Sequence, residues 1–93
     1  IGTFVYTAKK PFSRSKFDSW IKTIPPSVIR AKGLVYFSDQ KSRSCIFEQS
    51  GKQVLTREFG RWSSEDAGIK LVFIGVRMDE QKIRHELNGC LEV

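Results

Sequence analysis

An α+β fold is what this sequence predicts: a mostly antiparallel sheet of about five strands with both helices packed on one face. Two observations point there. Two segments repeat apolar residues at helical spacing, and the strand-like segments alternate or run apolar over four to nine residues. Their order reads β-α-β-β-β-β-α, with four strands in succession between the helices. The chain shows no internal repeat and no low-complexity stretch.

Phe4–Ala8 alternates apolar with small or polar residues and carries aromatics, so it reads as the first strand. Lys10-Pro11 ends it, because proline cannot donate to a ladder. Ser13–Ile24 reads as a helix, with Phe17, Trp20, Ile21 and Ile24 on one face. Ser15 with Asp18 resembles a capping box, and Ser13 competes as the cap. Pro25-Pro26 should stop this helix. Val28–Lys32 leads into Gly33, and the unbroken run Leu34–Phe37 reads as a second strand, buried on both faces or central in the sheet. Ser44–Glu48 and Gln53–Phe59 form a hairpin through a loop at 49–52 that carries Gly51. Ser63–Gly68 is a polar loop. Lys70–Met78 is the most hydrophobic strand, with Val72, Ile74 and Val76 on one face and Leu71 and Phe73 on the other. Gly75 within it signals a bulge or a close backbone approach. Asp79 caps the last helix, whose buried stripe is Ile83, Leu87, Cys90 and Leu91, with Met78 and Ile83 as a hydrophobic staple.

Length and composition bound the rest. A chain of 93 residues makes one small domain and buries roughly 60–65% of its unfolded surface. Its apolar fraction of 40% and charged fraction of 28% are ordinary for a globular protein. No apolar run approaches the roughly 18 residues that span a bilayer. The chain does not begin with Met, so we expect a piece of a longer protein. Cys45 and Cys90 make neither a C-x-x-C pair nor a dense framework, which favours separate reduced thiols. Net charge is +6, and residues 1–32 carry all of it: seven basic residues against Asp18. That third suits an acidic partner, a phosphate or a nucleic acid.

The chemistry of catalysis is missing. There is no phosphate loop, no dinucleotide fingerprint and no nucleophile elbow. The single histidine, His85, rules out paired-histidine zinc motifs. It falls about 200° around the helix from Ile83, so it should face water. His85 and Cys45 are weak metal candidates without a local ligand cluster. Trp20 lies on the apolar helical face, as a core residue should. Trp62, after Gly60-Arg61, is more open to contact with a partner. Glu65-Asp66 and Asp79-Glu80 have no companion groups placed for acid–base work.

Phrases in order along the chain carry a family likeness. They are Phe4-x-Tyr6, Lys10-Pro11-Phe12, Ile24-Pro25, Val28, Arg30-Ala31-Lys32-Gly33, Tyr36, Gly51 to Leu55, Gly60-Arg61-Trp62, Leu71–Gly75, Asp79 and Cys90-Leu91. Together they resemble the C-terminal domain of the CobW family of GTP-dependent metal-handling proteins, over nearly the whole chain. Ser13 stands where the family often has histidine, and the loop between Trp62 and Leu71 looks shorter than in many members.

The resemblance implies one domain over 1–93, excised from a longer cytoplasmic chain whose N-terminal GTPase domain binds GTP with magnesium and zinc or cobalt. It implies metallochaperone work in metal homeostasis or cobalamin synthesis. In that work this domain is a non-catalytic accessory, docking to the GTPase domain or to a metalloprotein client. Lys10, Arg61, Trp62 and the Arg30-Ala31-Lys32-Gly33 turn are the expected partner-binding residues. A nucleic-acid-binding α+β module using the basic first third is the alternative, and a self-sufficient metal or catalytic domain the third reading.

Overall fold

The structure is a computed structural model that describes residues 1–92. Five antiparallel strands form one sheet in the order β1-β5-β2-β3-β4. The strands are β1 (Gly2–Ala8), β2 (Val28–Val35), β3 (Arg43–Ser50), β4 (Gln53–Arg61) and β5 (Ile69–Gly75). Helix α1 (Arg14–Ile21) joins β1 to β2, and α2 (Glu80–Asn88) follows β5. The α+β expectation and the element order are borne out, and among the described residues no helix is long and apolar enough to cross a membrane.

The side chains of alternate strand residues bury one face of the sheet. Phe4 and Tyr6, Ala31, Cys45 and Phe47, and Leu71 and Phe73 point into a single core with Phe17 and Trp20 of α1 and Ile83 and Leu87 of α2. Aromatic rings hold it together. Phe4 stacks on Phe73 at 4.8 Å, Phe17 stacks on Phe12 at 4.6 Å, and Phe47 meets Phe17 edge-on at 5.2 Å. Phe12 is fully buried although it lies outside the main elements, where its N–H donates to the Tyr36 carbonyl and its carbonyl accepts from Ser38.

Several element boundaries differ from the sequence expectation. The cap of α1 is Ser13 and not Ser15: its Oγ accepts from the Lys16 N–H at 3.4 Å. Its own N–H donates to the Cys90 carbonyl at 2.8 Å, so the C-terminal segment fixes where α1 begins. The helix ends at Ile21, ahead of Pro25-Pro26. Strand β2 begins at Val28, so Arg30–Gly33 is the middle of an interior strand and not a turn. Tyr36 and Phe37 lie beyond the strand's end, both buried. The β3–β4 loop tightens to Gly51-Lys52, with Gly51 at φ 59°, a conformation that glycine supplies without strain. Asp79 caps α2 as expected, accepting from the Lys82 N–H at 3.1 Å.

Gly75 marks a close approach: a Cβ there would lie 2.1 Å from the Ser27 carbonyl oxygen. The irregularity in the ladder sits across from it, between Val28 and Arg30 of β2.

Tyr6 gives a pH test of this packing. Its ring is buried, its hydroxyl donates to Asn88 Oδ1 at 2.8 Å, and burial pushes its pKa up to about 12. A raised folded-state pKa means the native state holds its proton where the unfolded state has released it, so stability falls as pH rises from about 10 to about 12. Urea unfolding at pH 9 and pH 11 should show a loss on the order of 1 kcal/mol attributable to this group, which Tyr6→Phe removes from the pH dependence.

Candidate docking surface

Helices cover one face of the sheet and leave the other bare. Its composition follows from the strand register. One row across it reads Val5, Val72, Lys32, Glu48, Leu55. The next reads Thr3, Ile74, Arg30, Ser50, Gln53, and a third reads Thr7, Lys70, Leu34, Ile46, Arg57. The face is therefore a mixed apolar and basic surface, with Val5 41% and Leu55 53% exposed. An antiparallel sheet can leave such a face in water, but soluble sheets more often fill it with polar side chains.

Arg30 sits between two hollows on this face. One, of about 290 Å³, is lined by Arg30, Lys32, Val72 and Ile74. The other, of about 460 Å³, runs toward the β3–β4 hairpin past Glu48, Ser50, Gln53 and Leu55. Neither Arg30 nor Lys32 belongs to an ion pair among the described residues. Both guanidinium and ammonium are thus available for a carboxylate of a partner.

The other expected residues fall elsewhere. Lys10 is exposed after β1. Trp62 is half-buried beyond β4, meeting the Tyr36 ring edge-on at 5.4 Å and donating from Nε1 to the Lys41 carbonyl at 3.2 Å. Arg61 lies opposite Arg43 at the end of the hairpin. These three lie at the end of the sheet where Tyr36 leaves β2, while Arg30 lies toward the Ser50–Gln53 turn. Gly33 offers a partner no side chain: a Cβ there would fall 1.9 Å from the Lys70 carbonyl oxygen, so the residue is glycine because β5 passes too close.

The basic first third is divided rather than gathered. Lys9 Nζ donates to the carbonyls of Glu65 and Ala67 at 3.1 and 2.9 Å. Arg14 pairs with Asp39 at 2.8 Å and lies over the Phe37 ring. The hydrogen bond from that guanidinium holds the Asp39 carboxyl below its usual range.

His85 and Cys45 are not brought together. His85 is exposed on α2, and Cys45 is buried in β3, where desolvation raises its thiol pKa above the ordinary value. Cys90, also buried and free, is raised in the same way. Both thiols are therefore poor nucleophiles and poor ligands near neutral pH. No group of three or more His, Cys, Asp or Glu residues placed to hold a metal ion occurs among the described residues.

Sequence reasoning missed the apolar part of this surface. The signal was the alternation along β5, which separates Leu71 and Phe73 from Val72 and Ile74 but does not say which set a partner covers. Leu55, the exposed apolar residue of β4 on this face, carried no such sign.

A glycine test follows from the close β2–β5 contact. Gly33→Ala should destabilise the chain by about 3 kcal/mol or more, because backbone, not a flexible side chain, must move. Chemical denaturation against Gly60→Ala, a site with open space around its Cα, is the comparison that checks it.

The fold has solved relatives. The structure matches Zn(II)-bound YjiA GTPase from E. coli with a TM-score of 0.81 at 19% identity, over 98% of this chain and 30% of that one. A Zn(II)-bound triple mutant of the YjiA GTPase matches with a TM-score of 0.82, also at 19% identity and with the same coverage. The chain thus spans about 30% of the length of these proteins. The family described as the cobalamin synthesis protein cobW C-terminal domain matches residues 1–91, nearly the whole chain, and the chain belongs to that family.

Proposed function

We propose that this chain is the accessory domain of a CobW-like, GTP-dependent metallochaperone and that it acts by docking, not by catalysis. Its bare sheet face would seat against a GTPase domain of the same protein, with Arg30 and Lys32 as the ionic contacts and Val72 and Ile74 as apolar ground beneath them. The observation that carries this reading is a face in which two cations without ion-pair partners stand among exposed or half-buried apolar side chains. Family membership supports it, and so does the naming of the solved relatives as Zn(II)-bound GTPases. GTP with magnesium, and zinc or cobalt, would be held by the GTPase domain in the cytoplasm. This domain would help to present a metalloprotein client.

Two features weigh against nucleic acid as the partner. Recognition of single strands uses exposed aromatic platforms, and among the described residues Phe59, at 64%, is the one exposed aromatic residue. Lys9 and Arg14 are already committed within the fold.

Reversing both charges tests the reading. Arg30→Glu with Lys32→Glu should leave the melting temperature within about 3 °C of the parent, since exposed substitutions change stability little. Affinity for the cognate GTPase domain, measured by calorimetry, should fall by at least tenfold, as expected for lost charge-assisted contacts of about 1.4 kcal/mol or more. Unchanged affinity would contradict the proposal.

A further inference from the structure

Strand β4 is an outer strand of the sheet, and no element among the described residues covers it. Its eight residues Gln53–Phe59 and Arg61 are all exposed, Phe59 at 64%. The Ser50–Gln53 pair closes a two-residue hairpin and is hydrogen-bonded, so Gln53, Leu55 and Arg57 direct their backbone groups to β3. The N–H and C=O groups of Val54, Thr56 and Glu58 then point outward. Among the described residues, the one side chain bonded to the β4 backbone is Ser44, whose hydroxyl donates to the Gly60 carbonyl from within the sheet. The opposite edge differs: there Arg84 of α2 donates to the Val5 carbonyl at 2.9 Å. A long edge with free ladder groups is a template for another strand.

We infer that β4 is a strand-addition site for an extended acidic segment of another protein, which would pair with Val54–Glu58 as a sixth strand. This edge adjoins the bare sheet face, whose rows end in Leu55 and Arg57, but its main-chain pairing does not depend on what covers that face. Charge selects the occupant. Arg57 lies on the bare face and Arg61 on the helix side, and neither belongs to an ion pair among the described residues. The one acid of the strand, Glu58, is engaged by Arg43 at 3.6 Å and by Gln40 at 3.1 Å. The strand therefore presents surplus positive charge on both sides of its edge.

A second copy of this chain fits less well. Two-fold antiparallel pairing centred on the middle of the strand sets Arg57 against Arg57, and like charges directly opposite are destabilising. Centring it on Thr56 sets Leu55 against Arg57 and Val54 against Glu58, charge against apolar side chain. A foreign strand escapes both, with an acid opposite Arg57 and an apolar residue opposite Leu55. Strand addition of this kind draws affinity from main-chain hydrogen bonds and specificity from alternate side chains.

The test titrates the isotope-labelled 93-residue chain with the capped hexapeptide Thr-Glu-Thr-Val-Thr-Thr, whose acid and apolar residue two apart can lie opposite Arg57 and Leu55, and with its counterpart carrying Lys in place of Glu. The acidic peptide should bind at least tenfold more tightly and slow amide exchange at Val54, Thr56 and Glu58. Thr56→Pro removes an outward N–H and should weaken binding at least tenfold, while Arg57→Glu should abolish the preference for the acidic peptide. Equal binding of the two peptides would overturn the inference, as would protection confined to other strands. A concentration-dependent dimer through β4 would overturn it too, by showing that the edge serves a second copy.

Discussion

The burial of Phe17 is the interaction on which the rest of the molecule depends. Its ring is fully buried and meets Phe12, Trp20, Phe37 and Phe47. One residue of α1 thereby ties the crossover before the helix, the segment after β2, and β3 into one core. With only 8 residues, α1 is too short to be stable by itself in water, so its helicity comes from this packing. Trp20 extends the anchor to α2 through its Nε1 bond to Glu86 Oε1 at 3.1 Å.

That arrangement determines where a partner can sit. Two short helices cover one face of the five strands, and no element among the described residues covers the other. The bare face keeps apolar residues at Val5, Val72 and Ile74 and mixes them with Arg30 and Lys32. The glycines serve the same geometry. Gly33 and Gly75 let β2 and its approach lie against β5 at distances a side chain would forbid. The contact accompanies the place of β2 in the interior of the sheet, where its two cations project to one side.

Much of this was legible in the sequence, and the failures share a cause. The alternation of Leu71 and Phe73 against Val72 and Ile74, the burial of Ile83 and Leu87 and the Asp79 cap are local signals, and each held, while Val76 falls past the end of β5 and Cys90 and Leu91 past the end of α2. The start of α1 was ambiguous between two serines, because the choice is made by a bond from Ser13 to Cys90, far along the chain. Arg30-Ala31-Lys32-Gly33 looks like a turn, since charges and glycine usually mark one. It is a strand because β3 and β5 pair with it on both sides, and Gly33 answers a tertiary contact. The proposed docking surface was half legible. Its cations stood out in the charge count, but its apolar residues resemble core residues until the sheet shows which face the helices take.

The central claim is that the bare sheet face, and not the helical layer, meets the GTPase domain. The most direct measurement is a set of amide spectra of the labelled chain, recorded as that domain is added. The account predicts shifts along Val5, Arg30, Lys32, Leu34, Val72 and Ile74, with α1 and α2 unmoved. Shifts concentrated on α1 and α2, with the bare face silent, would contradict it.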